Sequence, residues 1–462
     1  MSGPPDWVQD SVFYQIFVDR FADGDLNSNP PETAVWGDKP TRRNFFGGDL
    51  DGVRQRLGYL VEMGVNAIYL SPIFKSPSNH KYDTEDYLEV DWRFGGTSAL
   101  LGLVKSAHDL GIRVVLDGVF SHTGDRFFAF RDLLVNGERS RYRHWYTVDD
   151  FPIRKSKPNY RASGNAPFLP QLRATEPEVR SYLVSVATHW LKSADIDGWR
   201  LDVPWEQDHE LWRELRNAVK EIKPNAYLVG EAWGDGAPWV QGDEFDGVTN
   251  YRLRELLFRF LLQRAIDAET FDRELHQLVE VYPIQFRASL LNLLGSHDTP
   301  RLATLTSPYT SAADQMLVFL FTYVGVPLIY YGDEVGLEGG HDPDCRRCME
   351  WNESRWNKPR RELVRRLANL RNERVSLRRG EHKTLGFRSR CLAFARTSAR
   401  ESVIVVLNAG FQPEHIEIPV AQLGATWRDG LNDGPSIESD SGLLGLQLDA
   451  GGFRVLWTGD DA

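Results

Sequence analysis

Short apolar runs alternate along most of the chain with longer segments whose apolar residues recur every three or four positions. The first pattern is typical of buried β-strands and the second of amphipathic helices, so the alternation predicts βα units around a parallel sheet. Eight such units favour an α/β fold, the TIM (β/α)8 barrel. The predicted strands are residues 12–21, 66–74, 113–120, 196–203, 226–233, 247–251, 289–296 and 325–331.

The helices between these strands have local end signals. Residues 55–63 predict a helix that Gly64 stops, and an apolar stripe from Leu100 to Leu110 ends at Gly111. The segment 175–178, Thr-Glu-Pro-Glu, predicts a capping box with proline in the first turn. These signals place helices before the second, third and fourth strands.

Two stretches depart from the alternation. Residues 121–172 are rich in Arg, Asn, Pro and aromatic residues without a long period, which predicts an inserted subdomain or a long functional loop. After residue 378, short apolar runs separated by turn residues predict a small antiparallel β-domain. The predicted organisation is a barrel of residues 1–120 and 173–378, an inserted subdomain of 121–172 and a C-terminal β-sandwich of 379–462.

Charge and composition exclude several partners. The net charge of −11 argues against a nucleic acid or an anionic membrane as partner. No apolar run reaches the ~18 residues of a membrane span, and residues 1–9 lack the basic and apolar regions of a signal peptide. The pair Cys345 and Cys348 has no second pair or nearby histidine, so reduced thiols are expected rather than zinc. The predicted location is cytoplasmic.

Charged residues close the fourth predicted strand. Residues two apart on a strand point the same way, so Arg200 and Asp202 should lie side by side at its carboxyl end. A guanidinium there favours an ionised carboxylate. That environment suits a carboxylate that acts as a nucleophile or as an electrostatic stabiliser.

Acids and histidines follow three further strands, at the barrel end where active sites form. One acid at a strand end is more often a helix cap or a loop hydrogen-bonder, but four such ends on one barrel favour catalysis. Glycoside hydrolysis needs one protonated and one ionised carboxyl group. Glu231, between Val229 and Trp233, suits the first role, and Asp202 suits the second. The four segments are 117–122, 200–202, 229–233 and 295–301.

These segments resemble the four signature regions of the α-amylase superfamily of retaining glycoside hydrolases, in the same order and spacing. Segments 325–327 (Gly-Val-Pro) and 47–50 (Gly-Gly-Asp-Leu) resemble further family markers. The resemblance implies that Asp202 is the nucleophile, Glu231 the general acid/base, and Asp298 the acid that binds and distorts the sugar. It also implies that four side chains line the subsite of the attacked sugar: Tyr82, His122, Arg200 and His297.

Within the superfamily, the chain is most similar to the cyclomaltodextrinase, neopullulanase and maltogenic amylase group. Segment 168–172 resembles its Met-Pro-Lys-Leu-Asn segment, and 342–346 resembles the stretch whose Asp and Arg hold donor-side sugars. The implied function is hydrolysis of α-1,4 bonds in maltooligosaccharides, cyclodextrins or pullulan. Val203, next to the nucleophile, is often present in relatives that also cut α-1,6 bonds, so cleavage of these bonds stays an alternative. The further implied substrate-binding residues are Asp342, Arg346, Phe168, Trp205, Glu206 and Trp233.

Three alternatives stay open at this point. The same acids would serve an α-glucosidase or an α-glucan transferase, including a trehalose-forming isomerase. A non-catalytic carbohydrate-binding protein is disfavoured because Asp202, Glu231 and Asp298 are all present. Trp205 stands where the group usually has Asn, and it would either stack on an acceptor sugar or belong to the core. The barrel begins without the N-terminal domain through which the group dimerises, so a monomer is expected.

A loop after the first strand alternates oxygen-bearing side chains at Asp23, Asp25, Asn27 and Asn29. Ca²⁺ takes six to eight such oxygens, although a solvated polar loop has the same composition. The resemblance implies a structural Ca²⁺ here, with the Gly47 carbonyl and Asp49 added. A second calcium site of the superfamily is not expected, because Ser121 replaces its Asn.

Overall fold

The computed structural model describes residues 3–307, 309–432 and 434–459. In this part of the chain, eight parallel strands form one sheet in the order β6-β5-β4-β3-β2-β1-β8-β7. A parallel bridge between Thr249 and Leu291 joins its edges, so the predicted barrel is confirmed. The strands are β1 Phe13–Ile16, β2 Ala67–Leu70, β3 Arg113–Gly118, β4 Gly198–Leu201, β5 Tyr227–Gly230, β6 Gly247–Val248, β7 Leu291–Leu293 and β8 Val326–Tyr330.

Each strand is shorter than predicted, because the predicted runs include the loop residues that follow the strands. The barrel interior is filled by inward-facing apolar side chains such as Phe13, Tyr69, Val115 and Tyr227. Parallel pairing brings Asp117 of β3 opposite Arg200 of β4. The polar residues that follow the strands therefore meet at one end of the barrel.

Helices surround the barrel and cover its outer face. Among the described residues, no helix is both long and apolar enough to serve as a membrane span. The main helices are Leu50–Gln55, Leu57–Glu62, Gly96–Asp109, Pro177–Ser193, His209–Ile222, Tyr251–Leu257, Ala268–Glu280, Thr310–Thr322 and Lys358–Glu373.

Three local predictions about the helices are wrong. The helix predicted at 55–63 begins earlier, at Leu50, and is interrupted at Arg56. Leu110 lies outside its helix as the C-cap residue and is half exposed, so it does not continue the buried stripe. Pro177 takes the first helical position, which makes Glu176 the N-cap residue without a side-chain cap, and no capping box forms. Glu178 instead accepts a hydrogen bond of 3.0 Å from the Trp145 indole.

The excursion after β3 contains the helix Phe128–Asn136 and returns to the barrel beside its own start. Antiparallel bridges pair His122 with Gln171 and Tyr146 with Leu172. The Phe130 ring packs edge-on against Tyr146 at 5.0 Å. The insertion therefore has a small aromatic core and stands over the carboxyl end of β3.

The C-terminal region is a sandwich of a six-stranded and a two-stranded antiparallel sheet. The sequence pattern predicts four of its strands, at 392–395, 403–407, 415–419 and 453–457, and misses the other four. It is attached to the barrel by the Phe319–Phe394 ring contact at 5.5 Å and by a hydrogen bond of 2.9 Å from Arg396 to the Thr322 carbonyl. The strands are β9 Glu381–Arg388, β10 Cys391–Thr397, β11 Glu401–Asn408, β12 Glu414–Pro419, β13 Thr426–Asp429, β14 Ile437–Glu438, β15 Leu443–Leu448 and β16 Phe453–Gly459.

Candidate active site

One buried guanidinium organises the carboxyl end of the barrel. Arg200 Nη1 donates to Asp117 Oδ1 at 3.0 Å and to Asp202 Oδ1 at 2.7 Å. Arg200 Nη2 lies 2.8 Å from Glu231 Oε1. The three acids follow or end strands β3, β4 and β5, so neighbouring strands supply the whole cluster. The structure brings Arg200 and Asp202 together, but Arg200 is shared by three acids instead of pairing with one.

The charge balance of this cluster favours a bound proton. Burial raises the pKa of the Asp202 carboxyl well above its usual range, Glu231 and Asp117 raise it further, and Arg200 lowers it. Burial also raises the pKa of Asp117, again against the effect of Arg200. A single cation thus faces three buried carboxyl groups. Arg200 lowers the pKa of Asp202, as expected, but its charge is shared among three carboxyl groups, so the cluster can also hold the proton that an acid catalyst needs.

Glu231 is held by hydrogen-bond donors rather than by an apolar wall. The Trp233 indole N–H donates to Oε1 at 3.0 Å, and the Val203 backbone N–H donates to Oε2 at 3.1 Å. Val203 has a φ of +36°, a strained value for a β-branched residue. This strain turns the chain after Asp202 so that the peptide N–H faces Glu231. The expected neighbour Trp233 thus contacts Glu231 through its indole N–H.

A chain of hydrogen bonds orders the residues next to Asp298. Gln15 donates to His297 Nδ1 at 2.8 Å, so the proton of His297 sits on Nε2. That nitrogen lies 2.6 Å from Tyr82 Oη and 3.1 Å from Asp298 Oδ2. Tyr82 Oη in turn donates to Asp117 Oδ2 at 3.0 Å. Tyr82, His297 and Asp298 therefore form one surface beside the carboxyl cluster.

His122 is buried below this surface with both ring nitrogens engaged. Its Nε2 donates to the Tyr82 carbonyl at 3.2 Å, and its Nδ1 accepts from Ser121 Oγ at 2.7 Å. Burial lowers the pKa of His122 to about 4, and burial also lowers the pKa of His297 well below its usual range. Both histidines are neutral at pH 7. In this structure His122 supports the backbone of Tyr82 and has no unengaged ring nitrogen for a sugar.

The loop after β8 clamps the His297–Asp298 segment. Arg346 Nε donates to the His297 carbonyl at 2.9 Å, and Arg346 Nη2 donates to Asp298 Oδ1 at 3.2 Å. Arg346 Nη1 pairs with Asp342 Oδ1 at 3.0 Å. The thiol of Cys345 donates to the same His297 carbonyl at 3.1 Å. Burial raises the pKa of this thiol to about 11, which keeps it protonated as a donor.

Two predicted substrate residues lie exposed on the rim, and a third, Glu206, is partly buried. Trp205 and Phe168 are 46% and 45% exposed, so the core alternative for Trp205 is wrong. Glu206 Oε1 accepts from Ser163 Oγ at 3.0 Å, and its backbone carbonyl accepts from Gln171 Nε2 at 2.7 Å. Glu206 therefore joins the insertion to the loop after β4, with Oε2 buried and without a hydrogen-bond partner in the described structure.

The residues predicted to bind Ca²⁺ fall into two groups, according to whether their side-chain oxygens already accept hydrogen bonds. Asp49 caps the helix Leu50–Gln55 by accepting from Gly52 N at 2.6 Å, and it also accepts from Asp25 N at 2.8 Å. Asp25 Oδ1 accepts from both nitrogens of Asn27. The carboxylates of Asp25 and Asp49 are thus already engaged within the loop. In the described part of the chain, no three His, Cys, Asp or Glu side chains converge as a metal cluster.

Asp23 and Asn29 fit a cation better. Asp23 Oδ1 and Asn29 Oδ1 are buried and have no hydrogen-bond partner among the described residues. Gly47 lies against them, with a φ of +84°, and a Cβ atom there would come within 2.3 Å of Asn29 Oδ1. Two orphaned oxygens beside a required glycine are suitable for a hard cation.

Sequence reasoning missed several residues that shape the site. Tyr69 donates to Asp117 Oδ2 at 2.5 Å, and Tyr251 stacks on Trp233 with ring centroids 3.9 Å apart. Gln15 could have been found, because it is the polar residue in an otherwise apolar first strand. Asp117 lies in the first of the four acid-bearing segments, but its position in the sequence indicates no role for it.

The comparisons with known proteins agree with this geometry. The model of the α-amylase catalytic domain matches residues 15–360. The chain is 43% identical over 453 residues to a cyclomaltodextrinase from Geobacillus thermopakistaniensis, covering 97% of this chain and 77% of that protein. It is 45% identical over 462 residues to neopullulanase 2 from Thermoactinomyces vulgaris, covering 98% and 79%.

A solved structure matches over the full length. The ligand-free cyclic α-maltosyl-(1→6)-maltose hydrolase from Arthrobacter globiformis has a TM-score of 0.91 and 38% identity, covering 99% of this chain and 100% of that chain. The matched family model spans the barrel strands β2 to β8 and each acid that contacts Arg200. The chain therefore belongs to the α-amylase family.

Proposed function

We propose that the chain is a retaining α-glucan hydrolase that cleaves α-1,4 and α-1,6 glucosidic bonds in cyclodextrins, pullulan and maltooligosaccharides. The observation that carries this proposal is that one guanidinium contacts both Asp202 and Glu231, at 2.7 and 2.8 Å. The shared contact keeps the two carboxyl groups close. A retaining mechanism needs a separation of about 5–5.5 Å, whereas an inverting one leaves room for a water between them.

In the first step, Asp202 attacks the anomeric carbon while Glu231 gives its proton to the departing glycosidic oxygen. The C–O bond to the leaving sugar breaks as the bond to the Asp202 carboxylate forms. The donors on Glu231, from Val203 N and the Trp233 indole, hold its carboxyl toward the leaving oxygen. In the second step, Glu231 takes a proton from water, whose oxygen displaces Asp202 from the anomeric carbon.

The residues around Asp298 position the attacked sugar. Asp298 is about a third exposed, so its carboxylate is open to sugar hydroxyls, unlike the buried Asp202. Arg346 and His297 hold it in place from two sides. Hydrogen bonds that strengthen in the transition state would come from this preorganised surface.

The test uses Asp202→Asn with the exposed Asp149→Asn as a control. The first variant should lower turnover of maltotriose and β-cyclodextrin by about 10⁴-fold or more, with an unchanged circular dichroism spectrum, and the control should keep wild-type turnover. A fluorinated glucosyl fluoride should add one glucosyl unit to a peptide that contains Asp202 in the wild type. Near wild-type turnover by Asp202→Asn overturns the assignment.

Transfer to a sugar acceptor is a second candidate activity. It is favoured by the exposed rings of Trp205 and Phe168, because these rings can stack on a sugar acceptor. An attacking water gains nothing from such a surface. Product analysis on maltotriose separates the two reactions. Glucose and maltose alone indicate hydrolysis, and longer products or trehalose indicate transfer.

We further propose a structural Ca²⁺ held by Asp23, Asn29 and the Gly47 carbonyl, supported by the two orphaned oxygens. The ion would fix the loop after β1 and takes no part in bond cleavage. Chelation should lower the melting temperature of the wild type, and Asp23→Ala should abolish this effect. An equal melting temperature with calcium and with chelator would falsify the proposal.

The place of action and the assembly state are also proposals. Three cysteines, Cys345, Cys348 and Cys391, are buried free thiols in the described structure, which is consistent with a reducing cytoplasm. The predicted monomer stays a prediction, and light scattering of the purified protein tests it.

A further inference from the structure

A cavity of about 460 Å³ opens beside Trp233, between the helices Tyr251–Leu257 and Ala268–Glu280. Its volume falls within the range of ligand-binding pockets. It lies outside the surface of Tyr82, His297 and Asp298 that positions the attacked sugar. Its polar lining comprises Arg252, Glu255, Arg259, Arg273, Glu274 and Gln277.

The polar lining divides into a paired part and an unpaired part. Arg259 and Glu274 form a two-point ion pair at 2.5 and 3.2 Å. Among the described residues, no side-chain hydrogen bond or ion pair engages Arg252, Arg273 or Gln277. These three side chains therefore keep their donors available to a ligand in the cavity.

Trp233 connects this cavity to the chemistry. Its indole N–H donates to Glu231 Oε1 at 3.0 Å. One face of the ring is covered by Tyr251, at 3.9 Å and an angle of 11°, yet the residue is 45% exposed. The same indole thus touches the acid and forms a wall of the cavity. Trp233 therefore connects the acid proposed to protonate the leaving oxygen with the lining of the cavity.

The lining carries charges of both signs. Arg259 and Glu274 neutralise each other as an ion pair, and Glu255 lies in the same lining as Arg252 and Arg273. A mixture of guanidinium, carboxylate and amide groups beside an aromatic ring matches the hydroxyls and apolar faces of a neutral sugar.

We infer that this cavity binds the distal part of the leaving-group end of an α-glucan, beyond the sugar that Glu231 protonates. The inference rests on the proposed hydrolase function. Occupation of the cavity would add binding energy only for substrates long enough to extend past Trp233. The cavity would therefore set the preferred chain length on the leaving-group side without taking part in bond cleavage.

The test compares maltotriose with reducing-end-labelled maltohexaose in wild type, Arg273→Ala and Gln277→Ala. The loss of one hydrogen-bonding side chain should lower kcat/KM for maltohexaose by about fivefold and leave maltotriose within about twofold. The labelled fragment should become shorter in both variants, because fewer sugar units beyond the cleaved bond are then bound. The exposed helical Arg131→Ala is the matched control and should keep the wild-type profile.

A filling variant, Gln277→Trp, tests the same space in a different way. It should shorten the labelled fragment and lower kcat/KM for maltohexaose more than Gln277→Ala does. If wild type cleaves both substrates and none of the three cavity variants changes the chain-length profile, the cavity assignment is overturned. If wild type cleaves neither substrate, the proposed function itself is overturned, so the two failures are distinguishable.

Discussion

The two sides of the Asp202–Glu231 pair are built from different interactions. On the donor side, formed by Tyr82, His297, Asp298 and Arg346, ring nitrogens, a phenol and a guanidinium are linked by hydrogen bonds and ion pairs of 2.6 to 3.2 Å. The acceptor side, formed by Phe168, Trp205 and Trp233, presents rings that are nearly half exposed. We therefore expect the donor side to hold the attacked sugar in a preset position, whereas the acceptor side offers area without a fixed register.

The largest effect expected on the donor side follows from Arg346→Ala. This change removes the donors to Asp298 and to the His297 carbonyl, and charged hydrogen bonds contribute about 1.5–3 kcal/mol each, so kcat/KM should fall about 100-fold. Arg347→Ala is the matched control, because Arg347 pairs with the neighbouring Asp344 instead. Steady-state kinetics on maltotriose check the comparison. Equal losses in both variants would contradict the clamp.

The low pKa of the buried His122 predicts how the stability of the protein changes in acid. Its pKa is about 4 in the folded protein, against about 6.5 in the unfolded chain, so the unfolded chain binds the extra proton between these values. Stability should therefore fall as the pH is lowered from 6.5 towards 4, by roughly 2 kcal/mol at pH 5 for this residue.

The measurement compares urea unfolding midpoints at pH 7 and pH 5 in His122→Gln and wild type. The glutamine amide can still donate to the Tyr82 carbonyl but binds no proton, so the variant should lose less stability at pH 5. The exposed His415→Gln serves as control and should keep the wild-type difference. An unchanged pH dependence in His122→Gln rules out the role of this buried histidine.

A smaller effect is expected from the buried thiol. Cys345→Ala removes the S–H donor to the His297 carbonyl, while the Arg346 donor to the same oxygen remains. A loss of about 1 kcal/mol corresponds to about a fivefold lower kcat/KM. Cys345→Ser should recover most of it, because the hydroxyl is again a donor. A serine variant as slow as the alanine variant would show that packing, not hydrogen bonding, is what the thiol provides.

The smallest effect on hydrolysis is expected on the acceptor side. Trp205→Ala removes an exposed ring with no hydrogen bond to the carboxyl cluster in the described structure, so kcat on maltotriose should stay within about twofold. The fraction of longer transfer products should fall, because the acceptor sugar loses its stacking surface. Chromatography of the products measures this fraction. A large loss of kcat would mean that the acceptor side is as preorganised as the donor side.

Much of the barrel could be predicted because its signals are local. A buried parallel strand needs a short apolar run, and helices between strands need a recurring apolar stripe, so eight strands follow from the order of residues. The acids at the ends of β4 and β5 stand next to these runs in the sequence. The alternation of side chains along a strand also placed Arg200 beside Asp202.

Interactions between distant segments could not be predicted in this way. Nothing near Gln15 in the sequence indicates that it orients His297, and nothing near Asp49 indicates that it accepts a hydrogen bond from Asp25 N. Both outcomes depend on which groups the packed barrel brings within 3 Å. The same holds for Trp205, whose exposure is set by the insertion and the loop after β4.

The sequence by itself determined the fold class, the order of the strands and the candidate reactive acids, because each depends on neighbours along the chain. Only the tertiary structure decided how the charge of these acids is balanced. Arg200 contacts Asp117, Asp202 and Glu231 together, since three adjacent parallel strands end at one place and, in the described part of the chain, Arg200 is the one buried cation among their acids. The proton that the reaction needs is thus a property of the assembled cluster, not of one residue.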